Sequence, residues 1–421
     1  MPETITNNDA QYALDIVKTI CMEVGPGLPG SSQERERANM IKKELESHLG
    51  AGNVVVEEFT VAPGAFLGAL PVGALFMLIA ALLNISIGRL VGISPWVTAM
   101  AALGFSILSI LPIIFEFNFY KEFVDPFFKK KQSINVIGAL RKPGTQDVKR
   151  LLIFSGHHDS ALENTWLRFL GYGFLIFSGI WLIGIITMLA MSIIQLAGVI
   201  VNNLHVVQVG TLGWVLLVFP IAPSIIYAIF FNRGRKGGGN VPGAADNLSA
   251  SALTVAMCRF LVKNPSYIPA DTEIRFISFG SEEAGLRGSR RYVERHLDEL
   301  KRLDARLLNF ETVVHPEMAI MTTDVNGHVK NSLEMVQSLV AAAERSGVPY
   351  KVTPYPPGAG GSDAGPFSQA GLKAATLLPF KLPQQMAAFY HQKWDGPEIL
   401  TMEPLLNVLK LSLEWVRSGG E

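Results

Sequence analysis

Residues 274–289 read Ile274-Arg-Phe-Ile-Ser-Phe-Gly-Ser-Glu-Glu-Ala-Gly-Leu-Arg-Gly-Ser289. The alternating apolar run at its start, closed by a Gly-Ser turn, predicts a buried strand. Glu282 and Glu283 follow the turn, so we expect this strand to deliver two adjacent carboxylates to the carboxyl edge of a sheet. Adjacent buried carboxylates repel each other and must be protonated, paired with a cation or bound to metal. A solvated turn is the plain alternative, and the other segments of the chain decide between the two.

Strand patterns alternate with helix patterns along the polar parts of the chain. The further strand patterns are at 53–61, 133–140, 151–155, 307–311 and 374–378. Apolar positions at helical spacing predict helices at 8–25, 32–49, 245–261, 288–301, 331–347 and 403–418. This alternation predicts an α/β fold in which a mixed sheet is flanked by helices on both faces.

The composition indicates a membrane protein. The 421 residues include 36 basic and 36 acidic side chains, and this balance gives no reason to expect nucleic-acid binding. The charged fraction of 17% is low for a soluble protein, and the mean hydropathy is positive. Apolar residues are therefore in excess of what a soluble core requires.

The excess lies in four apolar runs of about 20 residues each, at 66–88, 96–115, 169–193 and 209–231. A run of this length can cross a hydrocarbon core of roughly 30 Å. One such run can be a buried helix of a soluble protein, but four runs with almost no internal charge favour two transmembrane hairpins. The hairpins are predicted at residues 65–131 and 168–231. The polar domain that they interrupt is predicted at residues 1–64, 132–167 and 232–421.

Basic residues predict the orientation of these hairpins. The ends of the runs next to the polar domain carry Lys129, Arg168 and Arg233, among others, whereas the short connecting loops carry only Arg89. By the positive-inside bias we expect an integral, multi-pass membrane protein with a cytoplasmic polar domain. The polar and acidic start of the chain predicts no cleavable signal peptide.

Histidine and acidic side chains recur where predicted strands end and helices begin. They are His157, Asp159, Asp246, Glu282, Glu283, Glu311, Asp363 and His391. Because strand ends meet at one edge of a sheet, we expect these side chains to converge. Imidazole and carboxylate are ordinary zinc ligands. Two ions about 3.5–4 Å apart need a bridging carboxylate, and Asp246, which follows a glycine-rich stretch, is the candidate bridge.

Five motifs occur in a fixed order. They are Gly156-His-His-Asp-Ser160, Gly243-Ala-Ala-Asp-Asn-Leu-Ser249, Ser281-Glu-Glu-Ala-Gly-Leu-Arg-Gly-Ser289, Ser362-Asp363 and Tyr390-His391. This order resembles the M28 family of zinc aminopeptidases, over roughly residues 10–62, 133–160 and 240–418. The resemblance implies a zinc metallopeptidase, most simply an aminopeptidase that hydrolyses peptide bonds with water activated by two zinc ions per chain.

The resemblance also implies a set of metal ligands. They are His157, Asp246, Glu283, Glu311 and His391. Where the family usually has Asn-Leu-Asp, this chain has Asn309-Phe310-Glu311. A glutamate can still bind zinc, but its longer side chain requires the strand end to lie farther from the metal.

Further residues are implied in catalysis and substrate binding. Glu282 matches the general base that takes a proton from the attacking water and passes it to the leaving amine. Asp159 matches the acid that orients His157. Tyr390 matches a tyrosine that stabilises the oxyanion. Substrate binding is implied for Ser362 and Asp363, although the loop around them lacks the arginine and histidine often found there.

Two alternatives stay open on the same fold. One is a single-zinc acyltransferase similar to the family's glutaminyl cyclases, and the other is a catalytically inactive membrane scaffold. Retention of all the ligand positions favours two metal ions. Because short tethers connect the second hairpin to Ser160 and Asp246, we expect the site near the bilayer surface. The expected partners are the lipid bilayer and peptides released near the membrane or still attached to it; the sequence does not set the oligomeric state.

Overall fold

The computed structural model describes residues 4–84, 92–171, 173–202, 241–381 and 384–421. The chain divides into two compact units. The first, here called the sheet unit, comprises Met1–Pro63, Lys129–Glu163 and Lys236–Glu421. The second, here called the helical unit, comprises Gly64–Phe128 and Asn164–Arg235. The assignment of these segments to a peptidase domain and two transmembrane hairpins stays a prediction.

The sheet unit is built on a mixed β-sheet. Its strands are β1 (Val54–Val61), β2 (Lys131–Arg141), β3 (Arg150–His157), β4 (Thr272–Phe279), β5 (Arg306–Phe310), β6 (Met318–Met321), β7 (Thr323–Asp324), β8 (Val329–Lys330), β9 (Tyr350–Thr353) and β10 (Lys373–Leu377). Eight of these strands form one sheet in the order β1-β2-β4-β3-β5-β10-β6-β9. Strands β4, β3, β5 and β10 are parallel, while β2 and β6 join them antiparallel.

The central strands are apolar on both faces because helices cover both. In β3, Leu152 and Phe154 belong to one buried cluster, and Leu151 and Ile153 belong to another. The first cluster includes residues of the helices Asn7–Glu23, Ser32–Leu49, Ser249–Lys263, Leu333–Ser346 and Met402–Arg417. The second includes residues of Arg287–Arg302 and Ala364–Gln369. The predicted α/β fold, a mixed sheet with flanking helices, is confirmed.

Three parallel strands end side by side and deliver the candidate site. His157, the last residue of β3, pairs with Phe279 at the end of β4. Ser155 of β3 pairs with Asn309 of β5, and its Oγ donates a hydrogen bond to Asn309 Oδ1 at 2.7 Å. Glu311 follows β5 directly, and the turn with the two adjacent glutamates follows β4. These strand ends therefore bring residues from distant parts of the sequence to one edge.

Some short elements were not predicted from the sequence. The strands β6 and β9 have four residues each, and the helix Ala364–Gln369 has six. Segments this short contain too few residues for an apolar period to be recognised. The strands β6 and β9 extend the sheet at the end away from β1, and the predicted fold class is unchanged.

The helical unit contains long apolar helices. Its described helices are Ala65–Asn84, Pro95–Pro112, Thr165–Leu170 and Gly173–Asn202. Three helical segments are long and apolar enough to cross a membrane by length and composition: Ala65–Asn84, Pro95–Asn118 and Ser178–Val201. They overlap three of the four predicted runs. The fourth run, at 209–231, lies outside the described residues, so the second hairpin stays a prediction.

A buried polar contact joins the three long helices. Asn84 Nδ2 donates to Ser192 Oγ at 2.7 Å, and Ser192 Oγ lies 2.7 Å from Ser106 Oγ. The surrounding cluster is apolar and includes Met77, Ala81 and other small or flexible side chains. Hydrogen bonds between helices in lipid contribute about 0.6–2 kcal/mol each. The contact therefore favours association of these helices within the helical unit.

Candidate metal centre

His157 lies among carboxylates at the carboxyl edge of the sheet. Its Nε2 atom lies 3.4 Å from Asp246 Oδ1 and 3.6 Å from Glu311 Oε1. The same nitrogen lies 3.7 Å from Glu282 Oε2. The imidazole is 1% exposed, so these charges interact with little screening by water. Potential ligand atoms of His157, Asp246 and Glu311 all lie within 4.8 Å of one another, which is close enough to hold a metal ion.

A second cluster shares Asp246 with the first. His391 Nε2 lies 3.1 Å from Asp246 Oδ2 and 3.3 Å from Glu283 Oε1. Potential ligand atoms of these three residues again lie within 4.8 Å of one another. Each carboxylate oxygen of Asp246 therefore faces a different histidine, His157 on one side and His391 on the other.

Several ligand-type atoms of the two clusters are buried without a hydrogen-bond partner among the described residues. They are His157 Nε2, Asp246 Oδ2, Glu283 Oε1 and Glu311 Oε2. Buried polar atoms are otherwise nearly always hydrogen-bonded, so these atoms point to a ligand. Imidazole nitrogen and carboxylate oxygen are the donor types that zinc takes in proteins. The residues present therefore fit zinc.

Burial and mutual repulsion raise the pKa values of the acidic groups when no cation is bound. Burial raises the pKa of Glu282 well above its usual value, and the charges of Glu283 and Glu311 add to this. Burial likewise raises the pKa of Glu311 to about 8 and that of Asp363 to about 7. Carboxylates outnumber imidazoles here, so a divalent cation is what allows all of them to ionise together.

The same carboxylates shift the pKa values of the histidines upward. Burial opposes charging of His157, but the negative charge of Glu282 raises its pKa well above the usual value. Burial is also outweighed at His391, where Glu283 and Asp246 raise the pKa to about 10. The pKa of Asp246 lies below its usual value despite burial, because both histidines pair with it. The cluster therefore attracts positive charge strongly.

Asp159 connects β3 to the turn after β4. Its Oδ1 lies 3.3 Å from His157 Nδ1. Its two oxygens accept the backbone N–H groups of Glu282 and Glu283, both at 3.0 Å. Burial opposes ionisation of Asp159, but the contact with His157 lowers its pKa below the usual value. One buried carboxylate thus orients the imidazole and both glutamates of the turn.

Asp395 supports the segment that carries Asp246. Its carboxylate accepts the backbone N–H groups of Ala245 at 2.7 Å and Asp246 at 3.1 Å. No local sequence pattern assigns a role to Asp395, although it lies in the same stretch as His391. Only its contact with a distant loop distinguishes it from a solvated aspartate, and no local pattern shows that contact.

Asn247 connects the Asp246 segment to the end of β5. Its Nδ2 donates to the carbonyl oxygen of Phe310 at 3.0 Å. Its Oδ1 accepts the backbone N–H of Thr312 at 3.2 Å. Phe310 and Thr312 flank Glu311, so this one side chain fixes the distance between two candidate ligands. The sequence does not predict this connection, although Asn247 is adjacent to Asp246.

Tyr390 lies against one of the candidate ligands. Its ring stacks on the ring of His391 with centroids 4.0 Å apart, and Phe380 packs on it at 5.6 Å. His391 itself has φ +51, in the left-handed region that non-glycine residues rarely adopt. Stacking and backbone conformation together orient this imidazole.

Ser362 and Asp363 lie in a buried polar group next to the clusters. Ser362 Oγ donates to Asp324 Oδ2 at 2.6 Å and lies 2.6 Å from Thr376 Oγ1. Asp363 is fully buried, and its charge raises the pKa values of Glu282 and Glu311. The structure thus brings Asp363 close to the proposed site, while the Ser362 hydroxyl is bound to Asp324.

Comparison with known proteins identifies part of the chain. Residues 232–416 match the model of peptidase family M28. Residues 232–416, which are less than half of the chain, are therefore similar to an M28 peptidase family domain. The match includes Asp246, Glu283, Glu311 and His391, whereas His157 precedes it. The family resemblance expected from the motifs is confirmed at this level.

The M28 domain also has a curated relative. The chain is 33% identical over 177 residues to Aminopeptidase YwaD of Bacillus subtilis (strain 168), a match that covers 42% of this chain and 34% of that protein. The match therefore spans about a third of the length of the curated relative.

Solved structures share the fold. A zinc aminopeptidase from Bacillus subtilis aligns with a TM-score of 0.54 and 16% identity, covering 97% of this chain and 95% of that one. A glutaminyl cyclase from an Acidobacteriales bacterium aligns with a TM-score of 0.54 and 13% identity, covering 99% and 96%. At these identities the likeness shows the fold alone, and both reaction classes occur on it.

Proposed function

We propose that this chain is a membrane-anchored di-zinc metallopeptidase, most simply an aminopeptidase, with Glu282 as general base. The observation that carries the proposal is the position of Asp246. Its two oxygens lie 3.4 Å from His157 and 3.1 Å from His391. A carboxylate between two imidazoles is an arrangement that can bridge a pair of metal ions. The M28 domain and the aminopeptidase relative support the reaction class.

The proposed ligands fall into two sets that share Asp246. His157 and Glu311 would hold one zinc ion, and His391 and Glu283 would hold the other. When bound, zinc would act as a Lewis acid and lower the pKa of water, so that hydroxide is available near neutral pH. Asp159 keeps His157 in the orientation for binding, and Asp395 and Asn247 keep Asp246 between the two histidines.

Glu282 is proposed to move the proton in peptide hydrolysis. It is in the turn with Glu283 but in our assignment binds no metal, so its carboxylate is free to accept a proton from the attacking water. Burial raises its pKa, which strengthens the carboxylate as a proton acceptor for the attacking water. Tyr390 is proposed to donate a hydrogen bond to the oxyanion, and Ser362 and Asp363 to shape the site for the substrate's amino terminus.

Membrane anchoring is proposed from the helical unit. Three apolar helical segments there have the length of a membrane span. We propose that they hold the sheet unit on the cytoplasmic side of a bilayer, where its substrates are peptides released near the membrane or still attached to it.

The full chain, purified in detergent, tests the catalytic proposal. Metal content by mass spectrometry is expected to give two zinc ions per chain. A peptide with a free amino terminus is expected to lose its first residue, and its N-acetylated form is not. Glu282→Gln, which keeps the shape but removes the base, is expected to retain zinc and lose at least about 100-fold in kcat. Activity of Glu282→Gln equal to wild type would contradict the assigned mechanism.

A single-zinc glutaminyl cyclase is the second candidate, because a glutaminyl cyclase structure shares the fold over nearly the whole chain. The same preparation distinguishes the two. One zinc ion per chain with cyclisation of a peptide that begins with glutamine would favour the cyclase. Absence of both zinc and turnover would favour the inactive scaffold.

A further inference from the structure

Glu34 is a buried carboxylate with no role in the proposed chemistry. It lies in the first turn of the helix Ser32–Leu49 and is 1% exposed. Its Oε1 accepts hydrogen bonds from Ser281 Oγ at 2.8 Å and Ser133 Oγ at 2.9 Å. Its Oε2 accepts the backbone N–H of Gly30 at 2.6 Å. Burying a carboxylate is costly, and the three donors offset part of this cost.

Ser281, one of these donors, immediately precedes the proposed general base. Its φ is +54, in the left-handed region. This conformation is unfavourable for a residue with a side chain and persists only where the surroundings enforce it. The hydrogen bond from Ser281 Oγ to Glu34 fixes the side chain of Ser281 and so helps to enforce this backbone conformation.

The turn 280–283 is held from more than one side. Asn135 Oδ1 accepts the backbone N–H of Gly280 at 3.1 Å. Asp159 accepts the N–H groups of both glutamates from the side of the metal centre. Glu34, in the helix Ser32–Leu49, holds the Ser281 side chain from the opposite side. Loss of one of these supports is expected to allow small displacements of the turn without unfolding the sheet.

We propose that Glu34 is a positioning residue for Glu282, acting through Ser281 to aim the carboxylate of the general base. This inference depends on the proposed function, because it assigns Glu34 to the same reaction. A misplacement of a reacting group by about 1 Å can cost on the order of 100-fold in rate. Glu34 is far from Ser281 in sequence, so its effect depends on packing of the helix Ser32–Leu49 against the sheet.

Two serine variants of the full chain form a matched test. Ser281→Ala removes the donor in the turn, and Ser133→Ala removes a donor to the same Glu34 oxygen from strand β2. With zinc saturating, Ser281→Ala is expected to lower kcat by about 10- to 100-fold while KM changes less than about threefold. Ser133→Ala is expected to keep kcat within about threefold of wild type.

Variants of Glu34 test whether both residues act through one contact. Glu34→Ala is expected to lower kcat at least as much as Ser281→Ala does, and the double variant is expected to lose no more than Glu34→Ala alone. Glu34→Gln keeps an acceptor oxygen for Ser281 and is expected to recover most of the rate. If Glu34→Ala does not fold, Ser281→Ala and Glu34→Gln still provide the comparison.

Hydrogen exchange of the segment 279–288 measures the turn without turnover. Faster amide exchange is expected in Ser281→Ala and Glu34→Ala but not in Ser133→Ala. Unchanged exchange and unchanged kcat in the first two variants would overturn the proposal, as would equal losses in Ser133→Ala. Lack of turnover in wild type with altered exchange would refute the proposed function while leaving the contact between Glu34 and the turn established.

Discussion

At the scale of single residues, the candidate site depends on carboxylates that are buried in excess of their counter-charges. Glu311 shows the consequence, because burial raises its pKa to about 8 while its Oε1 lies 3.6 Å from His157 Nε2. Such a group binds either a proton or a cation. Glu311 is therefore expected to increase the affinity for metal and not to stabilise the metal-free protein.

Substitution of Glu311 tests that expectation. Glu311→Ala is expected to weaken binding of one zinc ion by at least about tenfold, because one ligand oxygen is lost, and to leave the metal-free protein at least as stable as wild type. Zinc competition with a chelator and chemical denaturation measure the two effects. Glu317→Ala, at a glutamate in a long surface ion pair with Lys351 at 3.7 Å, is the control and should change neither. Equal zinc affinity in Glu311→Ala and wild type would remove this residue from the ligand set.

Asp324 is not a proposed metal ligand, and its buried carboxylate is expected to make the stability of the protein depend on pH. Burial raises its pKa from 3.8 to about 6, although Val325 N–H and Ser362 donate to it. The native state therefore binds this proton more tightly than the unfolded state does. The stability that Asp324 contributes is fully present below about pH 4 and is lost as pH rises through about 6, by an amount on the order of 3 kcal/mol.

Asp324→Asn is expected to remove this loss. Asn can accept the same backbone N–H groups and donate to Ser362 Oγ, so the packing is retained. The free energy of unfolding of the variant relative to wild type should therefore increase between pH 4 and pH 7. Chemical denaturation at pH 4, 5.5 and 7.5 measures the difference, and a difference that does not change with pH would contradict the assignment.

At the scale of elements, the turn between β4 and the helix Arg287–Arg302 depends on two glycines that approach each other closely. A Cβ added at Gly288 would collide with the backbone of Gly280 and with Asn135 Oδ1. The Gly280 atoms are backbone, and the Asn135 amide is held by hydrogen bonds to Gly280 and Gly288, so the turn itself would have to move. This turn carries Glu282 and Glu283.

Gly288→Ala is therefore expected to destabilise the protein by about 1–3 kcal/mol and to reduce zinc affinity. Gly52→Ala is the matched control, because a Cβ at Gly52 meets nothing within 4 Å and its φ is not positive. The control should be neutral or slightly stabilising, by about 0.5 kcal/mol. Denaturation midpoints with and without zinc measure both variants. Equal stability of the two variants would show that the turn is less constrained than its contacts indicate.

The sequence predicted those elements whose pattern is local. Apolar strand patterns predict β3, β4 and β5. Because parallel strands end at one edge of a sheet, these patterns also place His157, the Glu-Glu turn and Glu311 at that edge. The sequence does not predict contacts between distant segments. The Glu34 side chain accepts a hydrogen bond from Ser281, 247 positions away, and local propensity carries no information on such a contact.

At the scale of the whole molecule, the proposed ligands join segments from β3 to the region after β10. Binding of zinc to the native state alone stabilises it by RT ln(1 + [L]/Kd), about 4 kcal/mol at a thousandfold excess over Kd. Removal of zinc with a chelator is therefore expected to lower Tm by roughly 10 °C. Restored zinc should reverse the change, and calcium, which prefers an all-oxygen set of ligands, should not.

The variant Asp246→Asn is the control for this experiment. In Asp246→Asn the chelator should have little further effect on Tm; a decrease in Tm as large as in wild type would show that zinc stabilises the chain elsewhere.

The helical unit predicts how the chain behaves toward a bilayer. If its three apolar segments span a membrane, the full chain stays in the membrane fraction after an alkaline carbonate wash and is released by detergent.

Leu75 and Ile107 lie in two of these segments and are 51% and 46% exposed, so their side chains would face lipid. Arginine at the centre of a span costs about 2.5–3.5 kcal/mol for insertion. The double variant Leu75→Arg/Ile107→Arg is therefore expected to move part of the chain into the wash. Leu333→Arg, at a 69% exposed leucine of the sheet unit, should leave the distribution unchanged. Release of the wild-type chain by carbonate alone would contradict membrane anchoring and leave the catalytic proposal untouched.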